Sequence, residues 1–171
     1  MQLSMKTLIS MLFFASFLSP AAFARPGVVA HCTQLVEQSG RSCGHLNGGN
    51  GERVAGTLDS ADLELTLSSD AGGDWASVNG MIGYTDGRKD QLSIFTYAGS
   101  SAWRARIFGE SGFTDTDKRL EIVKTESDAF MGFRTAQKEA SYDKRSGLLT
   151  FKYRVGLPVV CKATFQCVKA H

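Results

Sequence analysis

From Leu58 onward the chain alternates apolar and polar residues with a period of two. A chain patterned this way over most of its length buries its apolar side by pairing strands around a common interior. Leu63, Leu65 and Leu67 alternate with polar residues, and so do Val78, Gly80, Ile82 and Tyr84. Trp103, Ala105 and Ile107 alternate with Ala102, Arg104, Arg106 and Phe108. Leu120, Ile122 and Lys124 stand against Glu121, Val123 and Thr125, and Leu149, Phe151, Tyr153 and Val155 against Thr150, Lys152 and Arg154. These segments predict half-buried antiparallel strands. Residues 127–138 fit either a strand or a helix.

A weak internal repeat adds the connectivity. Gly83-Tyr84-Thr85-Asp86 followed by Leu92-Ser93-Ile94 is similar to Gly112-Phe113-Thr114-Asp115 followed by Leu120-Glu121-Ile122. Ser141-Tyr142-Asp143 before Leu148-Leu149-Thr150-Phe151 is a looser third copy, so the turns recur every 28 or 29 residues. That spacing is one hairpin with its turns, with Asp-, Gly- and Lys-rich tips at residues 85–90 and 144–147 reversing the chain and further turns at 98–101 and near Ser127-Asp128. The expected fold class is all-β: an antiparallel meander of about eight strands closing as an up-and-down barrel, with a two-sheet β-sandwich as the alternative. The barrel is preferred because a meander closes on itself without long crossovers.

Three segments are expected. Residues 1–24 read as a secretory signal peptide: Lys6, an apolar run over residues 8–18, Ser19-Pro20, then Ala22-Phe23-Ala24 as the cleavage pattern. The run is too short for the ~20 residues of a membrane-spanning helix. Residues 25–52 form an N-terminal arm, with a short helix over 32–39, and a loop whose residues 44–51 include four Gly and two Asn. Residues 53–171 are the antiparallel β domain, and the address is the periplasm or the exterior.

Four cysteines remain after cleavage, Cys32, Cys43, Cys161 and Cys167, and an exported chain with an even count is expected to bridge them. Cys161 and Cys167 share one alternating stretch without a turn residue; on a strand they stand ~20 Å apart, beyond the ~7 Å limit for a bridge. Both are therefore expected to reach back to Cys32 and Cys43, with the pairing left open. The alternative, a metal site built from His31, Cys32, Cys43 and His45, lacks zinc-module spacing, so no metal is expected.

Signals for chemistry are sparse. The three histidines, at 31, 45 and 171, all fall outside the meander, and Gly109-Glu110-Ser111-Gly112 reads as a turn rather than a nucleophile elbow. Asp115-Thr116-Asp117-Lys118-Arg119 lacks the glycine of a calcium loop and carries two cations, and Asp at a turn usually bonds its own backbone. No enzyme and no cofactor are therefore expected. With Lys6 removed, 18 basic side chains face 17 acidic ones, a balance that disfavours nucleic acid as the main partner. Arg104 and Arg106 are expected to share one strand face, as are Lys152 and Arg154, either as a solvated outer face or, if turned inward, as the lining of a cationic cavity.

Gly73-Asp74-Trp75 resembles the Gly-x-Trp that opens the lipocalins, ligand-carrying barrels of eight strands. In that family the motif lies on the first strand, whereas here a long mature segment precedes it, and no ligand-binding position is carried over. An outer-membrane barrel shares the alternation and the signal peptide, but Val168-Lys169-Ala170-His171 is no aromatic strand terminus.

The functional expectation is an exported, non-catalytic binding protein that recognises another protein, as an inhibitor for example. Trp75, Trp103, Arg104 and Arg106 are the candidate partner-binding residues, and residues 47–52 a mobile element. The alternative is a barrel-type carrier of a small apolar or anionic ligand, which needs an open interior of about 300 Å³ or more.

Overall fold

The computed structural model describes residues 27–39, 57–70, 72–127, 135–155 and 159–170. The signal segment 1–24, the loop 47–52, Cys43, His45 and His171 lie outside the described residues. The described residues form nine strands: β1 (Gly27–Ser39), β2 (Leu58–Asp70), β3 (Gly73–Tyr84), β4 (Lys89–Tyr97), β5 (Gly112–Asp115), β6 (Arg119–Ser127), β7 (Thr135–Asp143), β8 (Leu148–Val155) and β9 (Val159–Lys169). A single helix among the described residues, α1 (Ala102–Phe108), lies between β4 and β5.

The strands make one nearly closed, barrel-shaped sheet in the order β4-β3-β2-β1-β9-β8-β7-β6-β5. Every hydrogen-bonded neighbour pair is antiparallel. The first and last strands therefore pair in the middle of the sheet, and its two edges are β4 and β5. Alternating direction around nine strands leaves β4 and β5 running the same way. A hairpin cannot join parallel neighbours, so the chain needs a return path, and α1 lies on it.

Alternate side chains from all the long strands meet in one interior cluster that includes Leu63, Leu65, Val78, Ile82, Leu92, Ile94, Leu120, Ile122, Tyr142, Leu149, Phe151 and Phe165. Burying each large aliphatic or aromatic group contributes roughly 1.5–3 kcal/mol. At Gly80 an added Cβ would lie 1.9 Å from the Asp62 carbonyl oxygen, so the close approach of β3 to β2 requires glycine there. The Tyr142 hydroxyl is buried without a hydrogen-bond partner among the described residues. Burial, reinforced by the Asp143 carboxylate, raises it above the ordinary phenol range.

The repeat read in the sequence corresponds to the hairpins β3–β4, β5–β6 and β7–β8; aspartate serves the first turn through Asp86 and the third through Asp143, while Thr116 serves the second. Asp143 Oδ1 accepts from the backbone N–H groups of Arg145 at 3.0 Å and Ser146 at 2.8 Å, and from the Ser146 hydroxyl at 3.0 Å, while Gly147 closes the turn at φ 70°.

Two segments differ from expectation. Residues 32–39, read as a helix in an arm, belong to β1, a full strand between β2 and β9, which makes the strands nine rather than about eight. Register shifts at Cys32/Gln34 and Leu35/Glu37 break its alternation, so the period-two signal is scrambled. Residues 102–108, read as a strand, form α1. Ser101 caps its N-terminus by accepting from the Arg104 N–H, and Gly109 ends it in the left-handed conformation at φ 68°. Those two punctuating residues outweigh an alternation only a few residues long.

Cys32 and Cys167 stand opposite one another on β1 and β9 and are bridged, across a sequence separation of 135 residues. Cys161, on the same strand as Cys167, is also disulfide-bonded. A bridge closing so long a loop stabilises by about 4–5 kcal/mol in the chain-entropy model. The double variant Cys32→Ala/Cys167→Ala should lose about 4 kcal/mol in urea titration, and an unchanged midpoint would show that strand pairing alone holds the ends.

A second expectation concerns acid. The Ser146 and Arg145 N–H groups hold the Asp143 carboxyl below its ordinary value, so its contribution is fully present above the unfolded pKa and fades as pH falls through the folded one. Asp143→Ala should therefore be less stable than the parent at neutral pH, with the gap closing below about pH 4. Equal gaps at pH 3 and pH 7 in thermal melts would contradict this.

Candidate functional site at the open seam

The gap between β4 and β5 is held by contacts that are not sheet ladders. Gly112, at the start of β5, packs against the turn after β4: a Cβ there would sit 1.9 Å from the Ser100 carbonyl oxygen. The Ser100 hydroxyl donates to Glu110 Oε2 at 2.6 Å, and Thr114 Oγ1 accepts from the Ala102 N–H at 3.0 Å. Beyond β5, Ser111 Oγ accepts from the Thr125 N–H at 3.0 Å, carrying the attachment along β6.

The helix lies on the outer face of β6 and β7. Its small residues Ala102 and Ala105 pack on Val123, whose phase is opposite to the inward Ile122. Gln137 Nε2 donates to the Ala105 carbonyl at 3.3 Å, an oxygen that also accepts from the Glu110 N–H at 3.1 Å. The strongest tether is ionic: Glu139, its side chain 6% exposed, receives Arg106 Nε at 3.1 Å and Arg154 Nε at 2.6 Å. Arg106 also lies 3.6 Å from Glu121.

With Ala102 and Ala105 turned to the wall, the large apolar residues of α1 face outward: Trp103 is 62% exposed and Ile107 and Phe108 are each 60% exposed. Arg104 lies over the Phe108 ring at 5.2 Å, as a cation over a π face. On the other side of the seam, β3 and β4 carry aromatics on their outer face. Trp75 lies opposite Tyr97, its ring centroid 5.4 Å from that of Phe95, and Phe95 meets Tyr97 edge-to-face at 4.9 Å. Beside Phe95 and Tyr97 runs an open groove of about 280 Å³ lined by these two and by Thr96, Gly99, Ser111 and Lys124.

Of the four residues expected to bind a partner, Trp75 borders the groove's aromatic wall and Trp103 and Arg104 lie outward on α1. Arg106 is committed to Glu139. Arg104 and Arg106 do not share a strand face, and Arg154 is bound to the same glutamate as Arg106, so the two basic pairs form no stripe. The sequence reading missed Phe95, Tyr97, Ile107, Phe108, Ser111 and Lys124. A signal existed for two of them: Phe95 and Tyr97 occupy the solvent phase of a strand whose Leu92 and Ile94 point inward. Among the described residues no group of acidic, His and Cys side chains has the arrangement to hold a metal.

Comparison with known proteins finds no relative: no family model matches the chain, and no curated protein or solved structure does so significantly. The site is therefore read from its geometry.

The ionic tether is open to test. Glu139→Ala leaves two guanidinium groups without their shared anion and should cost about 2 kcal/mol, with faster hydrogen exchange at the α1 amides than in the barrel. Uniform protection across α1 in that variant would mean that Ala102, Ala105 and Gln137 alone dock the helix.

Proposed function

We propose that this chain is an exported, non-catalytic binding domain that recognises another protein through the surface flanking the seam. The observation that carries the reading is the double row of outward apolar side chains, Trp75, Phe95 and Tyr97 on one side and Trp103, Ile107 and Phe108 on the other. Single exposed apolar residues are ordinary on any surface, whereas aromatic groups gathered on a rigid support are what partner recognition uses. The support is rigid: the sheet is bridged through Cys32–Cys167 and the helix is fastened through Glu139. Preorganisation of this kind lowers the ordering cost of association.

Two further observations bear on the reading. The disulfide and the absence of a membrane-spanning helix among the described residues are compatible with an exported address. The interior cluster includes fully buried Tyr142, Phe151 and Phe165 side chains, which supports a filled scaffold over a carrier with an open lumen.

The test is capture from an exported fraction by the immobilised mature chain, followed by affinity measurement. Trp103→Ser/Ile107→Ser should weaken the captured complex at least ~30-fold, as expected for loss of hot-spot groups, with an unchanged thermal midpoint. Failure to retain any protein at micromolar concentration, or retention indifferent to these residues, would overturn the reading.

A further inference from the structure

We propose that the seam groove is an anchor point for one acidic side chain, together with its apolar neighbour, on an extended segment of a protein partner. The inference rests on the recognition reading above and adds the chemistry of the anchoring group.

The groove combines three features. Its volume, about 280 Å³, is near the lower end for ordinary ligand pockets, about 300 Å³, and suits a single ring-sized group. Its wall is aromatic, from Phe95 and Tyr97, with Ser111 and Lys124 on the opposite bank. Its rim includes β4, whose seam side belongs to no ladder.

The charge comes from the pairing of β6 with β7. Lys124 stands directly opposite Lys138, and like charges in that relation disfavour the sheet. Lys138 is neutralised by Glu126, Nζ to Oε1 3.0 Å, with its own side chain only 5% exposed. Lys124 has no ion pair among the described residues. Glu110, on the same connection, is turned to the Ser100 hydroxyl instead. A carboxylate entering the groove would meet an uncompensated cation, while the neighbouring apolar group rests on Phe95 and Tyr97. One free ammonium suits one carboxylate, not a polyanion.

The test uses the mature chain labelled with nitrogen-15 and three probes: the blocked peptide acetyl-Phe-Glu-Phe-amide, its counterpart with Gln in place of Glu, and phenylacetate. The amides of Gly99, Ser111 and Lys124 should shift, and the acidic peptide should bind about tenfold more tightly than the Gln peptide. It should also bind more tightly than phenylacetate, because only the peptide brings a second apolar side chain to Phe95 and Tyr97. Lys124→Met should abolish the preference for Glu without loss of thermal stability, and Tyr97→Ser should weaken both peptides. Three results would overturn the inference: no shift at these amides up to about 20 mM, equal affinity for Glu and Gln, or phenylacetate matching the peptide. Capture that still depends on Trp103 and Ile107 would then leave the recognition reading standing and remove only the groove's part in it.

Discussion

The pairing of β1 with β9 is the contact on which the barrel depends. It unites strands from the two ends of the described chain, from Ala30 opposite Lys169 to Ser39 opposite Lys162, and Cys32–Cys167 makes part of it covalent. Every other ladder joins strands consecutive in sequence and costs little loop entropy to form. This one must close nearly the whole domain before any of its hydrogen bonds is made. Without it the sheet would be two separate meanders, β1–β4 and β5–β9, each with a solvent-exposed inner face. Sulfur chemistry is thus spent where conformational entropy opposes the fold most.

The seam follows from the same arrangement. Nine strands with antiparallel neighbours cannot complete an antiparallel circle, so one boundary must bring together strands of the same direction. The molecule places that boundary away from the chain ends, between β4 and β5, and crosses it with a short helix on the outside of the wall. Edge strands left bare invite indiscriminate pairing. Here Gly112 against Ser100, and Thr114 against Ala102, cover part of the gap, leaving a groove in place of a full edge. The helix that makes the crossing then has no room to bury its bulky side chains, because only Ala102 and Ala105 are small enough to meet Val123 closely.

Much of this was legible in the sequence. Inward positions such as Leu63, Leu65, Val78, Ile82, Ile122, Leu149 and Phe151 followed from period-two alternation, because a pleated strand sends successive side chains to opposite faces. The hairpins followed from the recurring turns. β1 was not legible, since irregularities at Val28/Ala30, Cys32/Gln34 and Leu35/Glu37 break its phase. α1 was misread because Trp103, Ala105 and Ile107 mimic a strand, although Ser101 and Gly109 bracket it as caps. Of the candidate surface, Trp75, Trp103 and Arg104 were singled out for chemistry alone. The groove was beyond reach, as it depends on Phe95 and Lys124 meeting across a boundary between strands not adjacent in sequence. Arg106 was assigned to a partner because its pairing with Glu139 spans 33 residues.

The adjacency of β1 and β9 has a topological corollary. Around the sheet from one edge to the other, the strands follow the sequence β5 to β9 and then β1 to β4, which is chain order cut open at the seam. With the start of β1 and the end of β9 side by side, a short linker could join them while new ends were opened between β4 and α1. The rearranged polypeptide would be an uninterrupted meander in which each strand neighbours the next, with no pairing left to span the whole length. The present order of elements is therefore a choice of where the circle is broken, and it places that break inside a covalently fastened pair while leaving the unfastened boundary flanked by exposed aromatic side chains.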